Sequence, residues 1–162
     1  MEQAAQLLKA DLGVRVVATE MGGWDTHANQ GGARGQLANN LRTLGETLAA
    51  FVRDLGDRMS DVVILTTSEF GRKVEENGSG GTGHGHGNLN LIIGGGVRGG
   101  RVCGRWPGLA SDQRFEGRDL AVTTDFRHVF AAAMTRHMQC RNVSAVHPGF
   151  SVDPSRFAGV LT

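Results

Sequence analysis

The sequence predicts an α/β fold: a mostly parallel sheet with helices on both faces. Three observations carry that prediction. Two β-branched runs, VRVVAT at 14–19 and VVILTT at 62–67, are apolar almost throughout, as strands buried on both faces of a parallel sheet are. The stretch between them, 36–55, repeats its apolar residues at helical spacing. Glycines cluster at 22–35, 78–87 and 94–104, where the backbone has to turn sharply or approach something closely.

Taken in order, residues 3–10 read as the end of a helix, with Leu7 and Leu8 apolar and Gly13 as its stop. The first strand follows at 14–19, and EMGGWDTHANQGG is loop. From Gln36 to Leu55 the apolar positions are Leu37, Leu41, Leu44, Leu48, Phe51, Val52 and Leu55, one face of a helix that Gly56 closes. Strand 62–67 completes a strand–helix–strand unit, which is right-handed by rule. LNLIIGGG (89–96) supplies a third short strand, and VRGGRVCG (97–104) a hairpin or tight turn around Gly99 and Gly100. Thr124 can cap a last helix from Asp125 to about Met138, with Phe126, Val129, Phe130, Ala133 and His137 on one face. Without a repeat or a linker, 1–162 reads as a single α/β domain.

Composition excludes several functions. The 162 residues carry a net charge of +1, which gives no electrostatic case for nucleic acid. No apolar run approaches the ~18 residues of a membrane span, and the start MEQAAQLLKADLG has no apolar core of a signal peptide. Cys103 and Cys140 are not a close-spaced pair and read as free thiols.

The chemistry concentrates after the strands, where open α/β sheets bind their ligands. Asp25 and His27 are two residues apart, so in an extended segment both point to one side and Thr26 to the other. Glu69 and Arg72 follow the strand 62–67. His84 and His86 repeat the two-residue spacing inside GSGGTGHGHGN, a loop with no packing side chains that an ion between its histidines is expected to order. Two carboxylates and three imidazoles, Asp25, His27, Glu69, His84 and His86, suit zinc or a similar divalent ion. Each has a plainer reading alone: a turn, a mobile glycine loop, a surface charge. Their shared position after predicted strands is what joins them. His128, His137 and His147 read as structural. GSGGTG does not end in Gly-Lys-Ser/Thr and opens no helix, so a phosphate loop is not indicated.

GGWDTHANQ, TTSEFGRKVEENGSGGTGHGHGN, LIIGGGVRGGRVCGRWPGL and VTTDFRHVF together resemble the carboxyl-terminal part of domain-of-unknown-function family 1501, in the alkaline phosphatase and sulfatase superfamily. The resemblance runs from about residue 5 to residue 150. It implies a central sheet with a metal centre at one edge, in a domain of which this chain is an incomplete part. Asp25 and His27 match a metal-binding pair, Glu69 the place of a metal-binding acid, and His84 and His86 the loop histidines. Zinc is the implied ion, with manganese or calcium as alternatives. Arg72 is placed to bind the substrate's oxyanion.

The implied activity is hydrolysis of a small-molecule or carbohydrate phosphate or sulfate ester. Periplasmic or exported location is also implied, and self-association through an uncovered sheet edge is a further expectation. No nucleophile is assigned, because neither Thr26 nor Ser68 has a base beside it. The family's loop usually reads Thr-Asp-His-Gly, and here Gly83 stands where the aspartate would be. That departure favours an alternative, a non-catalytic secreted or surface scaffold that keeps the fold.

Overall fold

The structure is a computed structural model that describes residues 1–153, 155–157 and 159–161. The chain divides into two compact units, Met1–Met59 with Glu75–Gly83, and Ser60–Val74 with His84–Thr162. No described helix is long and apolar enough to cross a membrane.

The first unit is helical. Helix α1 (Glu2–Lys9) packs against α2 (Gln36–Leu55) and buries Ala4 and Ala5. The spacing of apolar residues predicts α2, which buries Leu48, Phe51 and Leu55 and ends where Gly56 takes a φ of 53°. Lys9 reaches Asp54 at 2.7 Å, and the Arg58 guanidinium forks onto Asp11 at 2.7 and 2.9 Å. Both pairs are exposed, so each is worth only ~0–1 kcal/mol. Burial of the apolar faces therefore carries this helix pair.

VRVVAT is the first correction. Residues 13–20 form no strand, and Val16 is 70% exposed. Among the described residues its unit contains no strand at all, so the run has no ladder to join. β-Branched residues favour a pleated, half-buried surface only when neighbours provide one.

In the second unit, β1 (Val63–Leu65) pairs antiparallel with β4 (Ile92–Gly94), with Ile64 opposite Ile93. Strand β2 (Gly71–Arg72) pairs antiparallel with β3 (His84–Gly85), placing Arg72 opposite His84. The expected α/β architecture, a mostly parallel sheet with helices on both faces, is overturned. The sheets described are two-stranded and antiparallel. The second run takes its partner from the third, not from 14–19. Its ladder stops at three residues because the Thr66 hydroxyl accepts the Leu91 N–H at 2.8 Å while Thr66 N–H donates to Leu91 O at 3.1 Å. A side-chain oxygen has replaced a backbone acceptor there.

Helix α3 (Phe126–Arg136) packs Val129, Ala132 and Ala133 with Phe157, Val160 and Leu161, and Val63, Leu65, Ile92 and Val97 lie against them. Val97 bridges to Leu161 after a turn at Gly95–Gly96, and the chain turns again at the expected Gly99–Gly100, where Gly99 N–H donates to Val97 O at 2.9 Å and Gly100 takes a φ of 72°. His128 is buried, as a structural histidine is, and its Nδ1 accepts from the Asp153 N–H.

Asp125, not Thr124, caps α3, accepting the Arg127 N–H at 2.9 Å and the Arg127 guanidinium at 2.6 and 2.9 Å. The guanidinium bonds, chiefly, hold the Asp125 carboxyl down to about 2. A carboxyl depressed on folding stabilises above its unfolded value, and that stabilisation is lost as pH falls through the folded one. Asparagine caps helices as well as aspartate does, so Asp125→Asn isolates the charge. The stability gap between wild type and Asp125→Asn should be constant above about pH 5 and shrink between about pH 4 and 2. Urea midpoints across that range check this.

Candidate functional site

In the first unit, Asp25 and His27 stand on a loop segment tied to α2 by Asn40, whose Nδ2 donates to Gly23 O. Thr26 is buried and its hydroxyl donates to Gln30 Oε1 at 2.7 Å. The Thr82 hydroxyl donates to the same oxygen at 2.8 Å, and Thr82 N–H donates to Thr26 O at 3.1 Å. With Thr26 drawn inward, its neighbours face solvent. His27 Nε2 lies 2.8 Å from Asp25 Oδ1, both side chains about half exposed (53% and 55%).

The glycine loop is held differently from the sequence expectation. Asn77 Oδ1 accepts from the N–H groups of Ser79 (2.9 Å) and Gly81 (3.1 Å), and Asn77 Nδ2 donates to His27 O at 2.9 Å. Asn29 and Gln30 N–H groups donate to Ser79 O (3.0 Å) and Gly80 O (2.8 Å). Gly81 lies so close to the His27–Ala28 backbone that a Cβ would stand 2.3 Å from the His27 carbonyl carbon. Hydrogen bonds and close backbone approach fix residues 77–82, work the sequence reading gave to an ion. Asn77, Gln30 and Thr82 escape such a reading because their partners lie about 50 residues away.

In the second unit, the Phe70 ring stacks on His84, centroids 4.0 Å apart and planes within 8°. The Arg72 guanidinium lies 5.6 Å from the Phe70 ring centroid. Phe70, Arg72 and His84 thus form one group around the β2–β3 pair. His86 stacks on Phe115 at 4.0 Å, and Gly87 N–H donates to Leu120 O at 2.8 Å. Glu69 is exposed at a bend where Ser68 Oγ donates to Phe70 O, which makes Ser68 a turn residue. The structure therefore joins Asp25 to His27 and Arg72 to His84, and seats His86 on a separate aromatic.

Asp119 is a buried carboxylate that the sequence reading passes over. The Arg118 guanidinium binds both its oxygens, at 3.1 and 2.8 Å, and holds it below the usual carboxylate range, with Lys73 and His86 adding in the same direction. FEGRDL, a turn with an Arg–Asp step at its end, was the available signal.

Helices, two small antiparallel sheets, and polar side chains set on loops and short strands make this a loop-rich protein of mixed helix and strand. Residues 4–147 match the family described as protein of unknown function (DUF1501), and the chain belongs to that family. No curated protein and no solved structure matches it.

Proposed function

We propose that the chain is a divalent-metal-binding domain of the phosphate and sulfate ester hydrolase class found in the alkaline phosphatase and sulfatase superfamily. The observation that carries this is the outward Asp25–His27 pair on a segment pinned to Thr82. His84 is two residues beyond Thr82, and two residues span at most about 7 Å. His84 is therefore the candidate third ligand. Asp25, His27 and His84 each offer one ligand atom and are exposed. One carboxylate and two imidazoles fit zinc, and manganese next. Glu69 and His86 are the candidates for a further ligand.

When bound, the ion would polarise an ester oxygen. Arg72 would bind the ester's remaining oxygens through its fork of donors. A ligating His27 must be neutral, so binding weakens as pH falls. Thr26 is bonded to Gln30 and Ser68 to Phe70, so neither is assigned as a nucleophile. Export to the periplasm belongs to the same proposal, and cell fractionation tests it.

Calorimetric titration with zinc tests the metal reading. Wild type should bind saturably. Loss of a partner behind a ligand already costs ~10–100-fold, so His27→Ala should weaken binding by about 100-fold or more. Wild type that takes up no zinc would overturn the reading. Gly83, where related loops carry aspartate, favours a second reading, a non-catalytic scaffold. Zinc binding without turnover of p-nitrophenyl phosphate or p-nitrophenyl sulfate would select it.

A further inference from the structure

The second unit contains a cleft that the metal reading does not use. Its volume is about 480 Å³, and Arg101, Arg105, Arg156, Cys103, Thr123 and Thr124 line it. No carboxylate does, among the described residues. Three arginines lining one cleft give it a positive potential, which an anion placed there relieves.

The walls are set by the backbone. Gly104, between Cys103 and Arg105, has a φ of 112°, and a Cβ there would stand 3.4 Å from Thr124 Oγ1. The positive φ, rather than lack of space, is what calls for glycine in this turn beside Thr124. Thr123 Oγ1 donates to Arg105 O at 2.7 Å, which fixes the Arg105 backbone. Arg101 donates to Gly159 O and so forms a fixed wall. Asp153 feels the Arg156 charge, while its Oδ1 accepts the Ser155 N–H (2.9 Å) and hydroxyl (2.6 Å). Phe157 and Val160 add an apolar side.

We propose that this cleft binds the phosphate or sulfate group of a small molecule, through Arg105 and Arg156 with the Thr124 hydroxyl. Arginine forks match tetrahedral oxyanions with two parallel donors. The volume exceeds what a bare oxyanion fills and falls in the range of small-molecule sites. The apolar side would take the rest of such a ligand. This inference stands apart from the metal centre.

The test is calorimetric titration with inorganic phosphate and with phenyl phosphate, at fixed ionic strength and with chelator present. Both should bind saturably, phenyl phosphate more tightly. Arg105→Gln and Arg156→Gln should each weaken binding at least ~10-fold, about the worth of one charge-assisted hydrogen bond. Arg105→Lys, which keeps the charge but not the fork, should fall between. Cys103 supplies a local reporter: phosphate should slow its alkylation by iodoacetamide and leave Cys140 unchanged, read by mass spectrometry. His27→Ala should bind phosphate as wild type does, which separates this proposal from the metal reading. No saturable binding, wild-type affinity in both glutamine variants, or an unprotected Cys103 would each overturn it.

Discussion

Gly81→Ala should lower the unfolding free energy by on the order of 3 kcal/mol, at the upper end of overpacking costs. The added carbon would stand 2.3 Å from the His27 carbonyl carbon, 2.4 Å from its oxygen and 2.5 Å from Ala28 N. All three are backbone atoms, so no rotamer change relieves the clash. Moving the loop instead breaks the bonds from Asn29 and Gln30 to Ser79 and Gly80, and the hold of Asn77 on Gly81. Gly78→Ala is the control in the same loop. A Cβ there meets nothing within 4 Å, so its effect should stay within ~0.5 kcal/mol. Urea titration of both variants gives the comparison. Equal midpoints would mean that residues 77–82 shift without cost.

Phe157→Ala should cost a similar amount, about 3–5 kcal/mol. The ring is buried with Val129, Ala132 and Ala133 of α3 and with Val160 and Leu161. Its removal leaves a cavity between the helix and the segment that bridges to Val97. Helix α3 cannot collapse into that space without disturbing the cluster against which Val63, Leu65 and Ile92 pack. Val102→Ala, at a residue 98% exposed, should change stability by less than ~0.5 kcal/mol. Phe157 also lines the arginine cleft, so its loss should weaken phenyl phosphate more than inorganic phosphate. If thermal and urea midpoints for Phe157→Ala match wild type, the final segment does not belong to the core.

The helices were legible because their signal is local. The periodicity from Leu37 to Leu55 lies within one element, and the α3 segment was read from its own apolar spacing, although its cap is Asp125 and not the Thr124 expected. The sheet was not legible, because VRVVAT and VVILTT carry the same strand signal and only pairing separates them. Pairing is set at long range, where β1 finds β4 across about 30 residues. In the candidate site, the outward pair at Asp25 and His27 follows from alternation around Thr26. The support beneath it does not, because Gln30 meets Thr82 across 52 positions and glutamine and threonine in loops carry no pattern of their own.

The discontinuity of the first unit bears on its synthesis. Residues 1–59 contain α1 and α2, yet the segment carrying Asp25 and His27 takes part of its hydrogen bonding from 77–82. A chain emerging from the ribosome therefore presents Thr26, Asn29 and Gln30 without those partners until residue 82 is out. By then 60–74, which belongs to the other unit, has already appeared. Maturation of the segment carrying Asp25 and His27 is thus tied to vectorial elongation. The helical pair can form early, and the segment that would hold the ion is completed by a later stretch of the same polypeptide.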